Sequence, residues 1–87
     1  MITMTVRHKV ADYQAWKPVF DQHDAVRKQF GCKSDAVFSN VQNPNDVLIV
    51  LQWESKEQAM KFGQSPSLKE AEERGGVVGT PEVSFAA

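Results

Sequence analysis

The sequence predicts an α+β domain with the ferredoxin-like split βαβ order, β-α-β-β-α-β, in which four antiparallel strands carry two helices on one face. Three observations predict it: an alternating N-terminal segment, a capped helical segment between Asp12 and Gly31, and two apolar segments joined by turn-forming residues. A second helical pattern and a strand-like C-terminal segment complete the order. The chain has 87 residues, so we expect one domain that spans residues 1–87.

The first strand is indicated by residues 2–10, where apolar and polar side chains alternate. A period of two is typical of a strand with one buried and one solvated face. The apolar side carries Ile2, Met4, Val6, His8 and Val10. His8 is therefore predicted to face the core side of the sheet.

The first helix lies between Asp12 and Gly31, which are favourable N-cap and C-cap residues. Pro18 lies within this segment and cannot donate its backbone hydrogen bond. We therefore predict one continuous helix with a kink between Trp16 and Pro18.

A hairpin is predicted for the middle of the chain. Residues 36–41 and 47–54 have the composition of strands, and the connection Asn43-Pro44-Asn45-Asp46 is rich in turn formers. The segment 47–51 is apolar at every position, which is typical of a strand covered on both faces of its sheet. Because only two helices are predicted, we expect a second copy of the chain to cover the other face.

The second helix is predicted from a capping box, in which Ser55 is followed three residues later by Gln58. The sequence Gly63-Gln64-Ser65-Pro66 then interrupts it, and Ser65 with Pro66 begins a further turn. The helical pattern continues to Arg74 and stops at Gly75-Gly76. Residues 80–85 are predicted as the last strand, with Pro81 at an edge or entry position.

Composition excludes several functional classes. Ten Lys and Arg residues balance eleven Asp and Glu residues, so no strong field attracts nucleic acid or an anionic membrane. Cys32 is the only cysteine, which excludes an internal disulfide and a cysteine-rich metal site. No apolar segment is long enough to cross a bilayer, and the first residues lack the pattern of a secretion signal. We therefore expect a cytoplasmic protein without nucleic-acid or membrane partners.

The face of the first helix suggests a pocket, because it combines aromatic side chains with two polar ones. At 100° per residue, one arc carries Tyr13, Trp16, Val19, Phe20, His23, Val26, Arg27 and Phe30. A face that only fills a core would not need His23 and Arg27. Strand one presents His8 to the same space, so His8 and His23 are predicted on the walls of one cavity. Tyr13, Trp16 and Phe20 are the predicted substrate-binding residues of this helix.

His23 and Arg27 lie one turn apart, which predicts that both point toward one place. Arg27 disfavours protonation of the imidazole, so a neutral His23 or His8 is a candidate base and Arg27 a candidate oxyanion ligand. The alternative is that His23 is a hydrogen-bonded core histidine and that the Arg27 side chain extends to the helix end. Neither histidine has a histidine or carboxylate partner three or four residues later on its own apolar face, so no metal site is predicted. Trp16 and Trp53 are large aromatic residues of the core type.

The segment after the third strand carries a resemblance to a known family. It consists of Trp53-Glu54-Ser55 followed by Glu57, Ala59 and Ser65-Pro66. With the split βαβ order, it resembles the antibiotic biosynthesis monooxygenase family of dimeric α+β barrels over nearly the whole chain. The segments 8–13 and 16–21 are also similar to a subgroup of small proteins placed near that family.

The resemblance implies a homodimer with a pocket in each subunit between the helices and the sheet. It implies oxidation of polycyclic aromatic substrates by dioxygen, without a metal or flavin cofactor. Trp53 matches the tryptophan that the family uses on this strand, which makes it a candidate catalytic residue beside His8, His23 and Arg27. Phe62 stands where haem-degrading members place a histidine that binds iron. This argues against haem degradation and makes Phe62 a candidate substrate-binding residue.

Three functional hypotheses follow from the sequence. The first is a cofactor-independent monooxygenase-like enzyme that binds a small aromatic substrate in the pocket. The second is a ligand-binding homodimer without catalysis. The third is a structural homodimer with a closed interior. The size and lining of the space between the first helix and the sheet separate these hypotheses.

Overall fold

A computed structural model describes all 87 residues, Met1–Ala87. The chain forms one four-stranded antiparallel sheet with the strand order β2-β3-β1-β4 and four helices. The elements in chain order are β1 (Ile2–Val10), α1 (Tyr13–Gln22), α2 (Asp24–Phe30), β2 (Cys32–Ser39), β3 (Asp46–Trp53), α3 (Lys56–Gly63), α4 (Pro66–Gly75) and β4 (Val77–Ala86). The predicted ferredoxin-like order is confirmed, and so is the interruption of the second helical segment before Pro66. The first helical segment, predicted as one helix, is divided into α1 and α2.

The first helical segment is divided at His23, so it is not the one helix from Asp12 to Gly31 that the capping residues predicted. Pro18 is accommodated inside α1. At His23 the backbone N–H donates to the carbonyl oxygens of Val19 and Phe20, both at 3.2 Å. The Arg27 guanidinium reaches back from α2 and donates to the same Phe20 carbonyl. The end of α1 is therefore stabilised by a side chain seven residues ahead, which helical periodicity does not reveal.

The helix ends follow the predicted capping residues. The side chain of Asp12 accepts a hydrogen bond from the backbone of Gln14, and Ser55 accepts one from Gln58. Ser65 begins α4 in the same way. Gly31 ends α2 at a φ of 105°, in the left-handed region that favours glycine.

The strands differ from the prediction mainly at their ends. β2 begins at Cys32 and ends at Ser39, and β4 begins at Val77 directly after α4. β1 pairs with β4 from its first residues to Val10, with a register irregularity between Arg7 and Lys9. The predicted hairpin of β2 and β3 is confirmed.

The core lies between the sheet and the helices. Trp53 and Val47 are fully buried, and they pack with seven further buried residues: Met4, Val10, Trp16, Ile49, Leu51, Ala59 and Phe62. The opposite face of the sheet is open in the single chain, where Phe38 is 55% and Leu48 38% exposed. None of the four helices has the length and apolarity required to span a membrane.

Candidate active site

A cavity of about 260 Å³ lies between the helices and the sheet. Its walls come from β1, β3 and β4 on one side and from all four helical segments on the other, and eleven of its seventeen lining residues are hydrophobic. Four titratable or charged side chains border it: His8, His23, Arg27 and Glu72. The interior is therefore neither closed nor uniformly apolar.

His23 lies at the break between α1 and α2 and is only 5% exposed. Its Nε2 atom is 2.9 Å from the hydroxyl oxygen of Ser67 on α4, which fixes the orientation of the ring. Its ring centroid is 5.8 Å from that of Phe62. Burial lowers the pKa of His23, and the positive charges of Arg27 and Arg74 lower it further. The ring is therefore neutral at pH 7.

Arg27 is only 3% exposed and does not extend to the solvent at the helix end. Its Nη1 atom donates a 2.9 Å hydrogen bond to the carbonyl of Phe20, and its guanidinium carbon lies 3.8 Å from the centre of the Phe20 ring. Its Nη2 atom lies 3.6 Å from Asp24 and 3.7 Å from Asp35. Burial lowers the pKa of Arg27 while both carboxylates raise it. Its Nε atom has no hydrogen-bond partner.

His8 projects from β1 and is 6% exposed. Its ring makes an edge-to-face contact with Trp16 at a centroid distance of 5.5 Å. The Nδ1 atom is buried without a hydrogen-bond partner. Burial lowers the pKa of His8, so this ring is also neutral at pH 7.

Glu72 on α4 is a cavity residue that the sequence analysis missed. It is half-buried, and this burial raises the pKa of its carboxyl group. A signal for it existed in the spacing of Leu68, Ala71, Glu72 and Gly75, which places the four residues on one helix face. Three small or apolar residues at that spacing indicate the buried side of α4, and Glu72 lies among them.

The structure places six of the eight predicted site residues on the cavity wall: His8, Trp16, Phe20, His23, Arg27 and Phe62. Tyr13 and Trp53 do not line it. Tyr13 packs beside Trp16 at a centroid distance of 5.8 Å. Trp53 lies fully buried against Phe62, 5.3 Å between ring centroids, and its Nε1 atom has no partner.

The arrangement is suited to proton transfer and to the binding of an anion in an apolar space. Two neutral imidazoles are able to accept a proton, and a buried guanidinium supplies a fixed positive charge. Low polarity of the walls strengthens such interactions relative to water. No group of three histidine, cysteine or carboxylate side chains comes close enough together to hold a metal ion.

Comparison with known proteins agrees with this fold. The family model described as antibiotic biosynthesis monooxygenase matches residues 1–74. No curated protein sequence is similar enough to match the chain.

The solved structures that match include a protein from Bordetella bronchiseptica assigned to the antibiotic biosynthesis monooxygenases. It has a TM-score of 0.86 at 18% identity, over 99% of this chain and 94% of that one. SnoaB, a cofactor-independent oxygenase from Streptomyces nogalater, has a TM-score of 0.81 at 13% identity, over 99% and 90% of the two chains. At these identities the structural likeness establishes the fold, and the family model covers well over half of the sequence. The chain therefore belongs to the antibiotic biosynthesis monooxygenase family.

Proposed function

We propose that this protein is a cofactor-independent oxygenase that oxidises a small aromatic substrate in the cavity between the helices and the sheet. One observation carries the proposal: two buried imidazoles and a buried guanidinium border the same apolar cavity. The likeness to SnoaB adds support at the level of the fold.

His8 is the preferred general base of this proposal, with His23 as the second candidate. The Nε2 atom of His23 already contacts Ser67 at 2.9 Å, whereas the His8 side chain makes no hydrogen bond. Because the Nδ1 atom of His8 is buried, its Nε2 atom is the proposed proton acceptor. A neutral imidazole beside an apolar cavity accepts a proton from an activated carbon or a phenol. Removal of that proton leaves a delocalised anion on the substrate.

Arg27 stabilises this anion in the proposed reaction, because its positive charge is held in place before the substrate binds. The carbanion then adds to dioxygen and, with the proton returned, gives a hydroperoxide. Loss of water from the hydroperoxide leaves a carbonyl group. In sum, a CH₂ group and O₂ become a C=O group and H₂O, so dioxygen is the only oxidant required.

The aromatic walls set the kind of substrate. Trp16, Phe20 and Phe62 offer ring faces and edges to a flat molecule. The volume of about 260 Å³ is near the lower end of the range of small-molecule pockets, about 300 to 1,000 Å³. A substrate of one to three fused rings fits this proposal better than a larger polycycle. Tyr13 packs against Trp16 and Trp53 packs against Phe62, so these two residues help to hold the aromatic wall in position.

The test is oxygen consumption by protein freed of metal with a chelator, on a panel of hydroxylated mono-, bi- and tricyclic aromatics. We expect uptake above background with at least one compound, at least a hundredfold less with His8→Gln or Arg27→Met, and an unchanged rate with the exposed-site control Lys69→Met. Absence of uptake across the panel, or full activity in both variants, would contradict the proposal. Binding without oxygen uptake would instead indicate a ligand-binding protein.

We also infer that a second copy of the chain covers the open face of the sheet. That face carries Ala36, Phe38, Leu48 and Val50 from the paired strands β2 and β3. An apolar patch of this kind is typical of an interface between chains. Sedimentation should give a dimer for the parent and a monomer for Leu48→Lys. A parent that stays monomeric at high concentration would exclude this assembly.

A further inference from the structure

The four polar groups of the cavity divide into two pairs by their contacts. His23 is held by Ser67, and Arg27 is held by the Phe20 carbonyl and two carboxylates. His8 and Glu72 are different, because the Nδ1 atom of His8 has no partner and the half-buried Glu72 makes no side-chain hydrogen bond or ion pair. The Nδ1 atom of His8 is withdrawn from water without a partner, whereas the half-buried carboxylate of Glu72 faces the cavity, where a ligand is able to reach it.

His8 and the helix that carries Glu72 both pack against Trp16. α4 begins near His23, since Ser67 contacts that ring, and ends at Gly75, where an added Cβ atom would lie 2.8 Å from the indole of Trp16. Trp16 in turn contacts the ring of His8. Glu72 lies three residues before Gly75, so it projects from the turn of α4 that packs beside Trp16.

We propose that Glu72 is a substrate-binding residue that accepts a hydrogen bond from a hydroxyl group on an aromatic ligand of one to three fused rings. The proposal rests on the function proposed above and names its substrate class. The aromatic body lies against Trp16 and Phe20, and the hydroxyl group lies at the Glu72 end. A carboxylate accepts hydrogen bonds only, so it selects ligands that carry a donor.

This assignment predicts discrimination between a phenol and its methyl ether. The two molecules have similar aromatic bodies, but the ether has no hydrogen to donate and leaves the carboxylate without a partner. A binding site that forms a hydrogen bond with a ligand's hydroxyl group strongly rejects an analogue without that group. An apolar wall discriminates much less between ligands that differ by one methyl group. We expect at least tenfold tighter binding of the phenol.

The experiment is an ¹⁵N NMR titration with 1-naphthol and with 1-methoxynaphthalene at fixed co-solvent. The parent protein should prefer 1-naphthol by at least tenfold. Glu72→Leu should reduce the preference to below threefold, and Glu72→Gln, whose amide oxygen still accepts a hydrogen bond, should retain part of it. Glu73→Leu is the matched control, because Glu73 is the adjacent exposed carboxylate and its loss should leave the preference unchanged.

The outcomes separate this inference from the proposed function. Equal affinity of the parent for both compounds, an unchanged preference in Glu72→Leu, or no binding of either compound would overturn the role of Glu72. Oxygen uptake with another substrate would leave the proposed oxygenase intact in each of those cases. A preference that depends on Glu72 without oxygen uptake would support the inference and contradict the oxygenase.

Discussion

The two ends of the cavity use polar side chains in opposite ways. At the end formed by the α1–α2 break, His23 and Arg27 make hydrogen bonds and ion pairs with their own chain. Beside Trp16, the Nδ1 atom of His8 has no hydrogen-bond partner, and the cavity residue Glu72 makes no side-chain hydrogen bond or ion pair. The difference suggests that the first end stabilises the fold and holds a fixed charge, while the second end is left available to a ligand. Substitutions at the first end should therefore lower the free energy of unfolding, and substitutions at the second end should change ligand binding.

The largest effect on stability is expected for Arg27→Met at the partnered end. The variant leaves the Phe20 carbonyl without its side-chain donor and removes the cation between Asp24 and Asp35. We expect the free energy of unfolding to fall by about 2 to 3 kcal/mol in denaturant titration. Lys28→Met is the control, since Lys28 is exposed and pairs with the same Asp24, and it should cost less than about 0.5 kcal/mol. Equal losses of unfolding free energy in Arg27→Met and Lys28→Met would contradict a special stabilising role of the Arg27 end of the cavity.

The break at His23, between α1 and α2, is a feature that the sequence did not predict. Alternation in β1 and the caps at Asp12, Ser55 and Ser65 are local signals, and the structure confirms each of them. At the break, the Arg27 side chain donates a hydrogen bond to the Phe20 carbonyl, a contact between α2 and α1 that residue spacing does not predict. Pro18 was the only local signal for a kink, and it proved insufficient to interrupt α1.

The same limit applies to the cavity itself. Helical periodicity correctly grouped Trp16, Phe20, His23 and Arg27, because one arc of a helix faces one space. It also included Tyr13, which lies at the edge of that arc and does not reach the cavity. Trp53 lies on the correct face of β3 but is covered by Phe62, and such layering requires the packed structure.

Glu72 was missed for a related reason. A glutamate in a charged helix is usually solvated, and α4 also carries Glu70, Glu73 and Arg74. In the structure, the packing of α4 against α1 distinguishes Glu72 from these neighbours. Its spacing from Leu68 and Gly75 was the available signal.

A smaller effect is expected for Ser67→Ala, which removes the partner of His23 while leaving the ring in place. The buried Nε2 atom then lacks its 2.9 Å contact, and the free energy of unfolding should fall by about 1 kcal/mol. Ser84→Ala on β4, an exposed site, should leave it unchanged within about 0.3 kcal/mol. A Ser67→Ala protein as stable as the parent would mean that His23 is as weakly held as His8.

The pH dependence of stability tests both histidines together. Burial lowers the pKa of His8 and of His23, so the unfolded chain binds protons more readily than the folded chain. Stability is therefore full above the unfolded pKa of about 6.5 and declines as pH falls through that value toward the lower folded pKa. Between pH 7.5 and 6 each histidine should account for at most about 0.8 kcal/mol.

Denaturant titrations at the two pH values measure this decline. His8→Gln and His23→Gln should each flatten it. Measurements in a Glu72→Gln background remove the opposite contribution of that carboxyl group, whose pKa is raised. Stability that is constant from pH 7.5 to 6 in this background would show that neither imidazole is withdrawn from water.

The smallest change in stability is expected for Glu72→Gln in the otherwise unaltered protein. The carboxylate is half-buried without a partner, so replacing it by a neutral side chain of the same shape removes a desolvated charge and breaks no contact. At pH 7 the free energy of unfolding should stay the same or rise by up to about 0.5 kcal/mol in denaturant titration. A loss of 1 kcal/mol or more would reveal a stabilising partner for Glu72 and would remove the difference between the two ends of the cavity. A neutral or positive result, beside the loss in Arg27→Met, would mean that this end of the cavity contributes to binding and not to the stability of the fold.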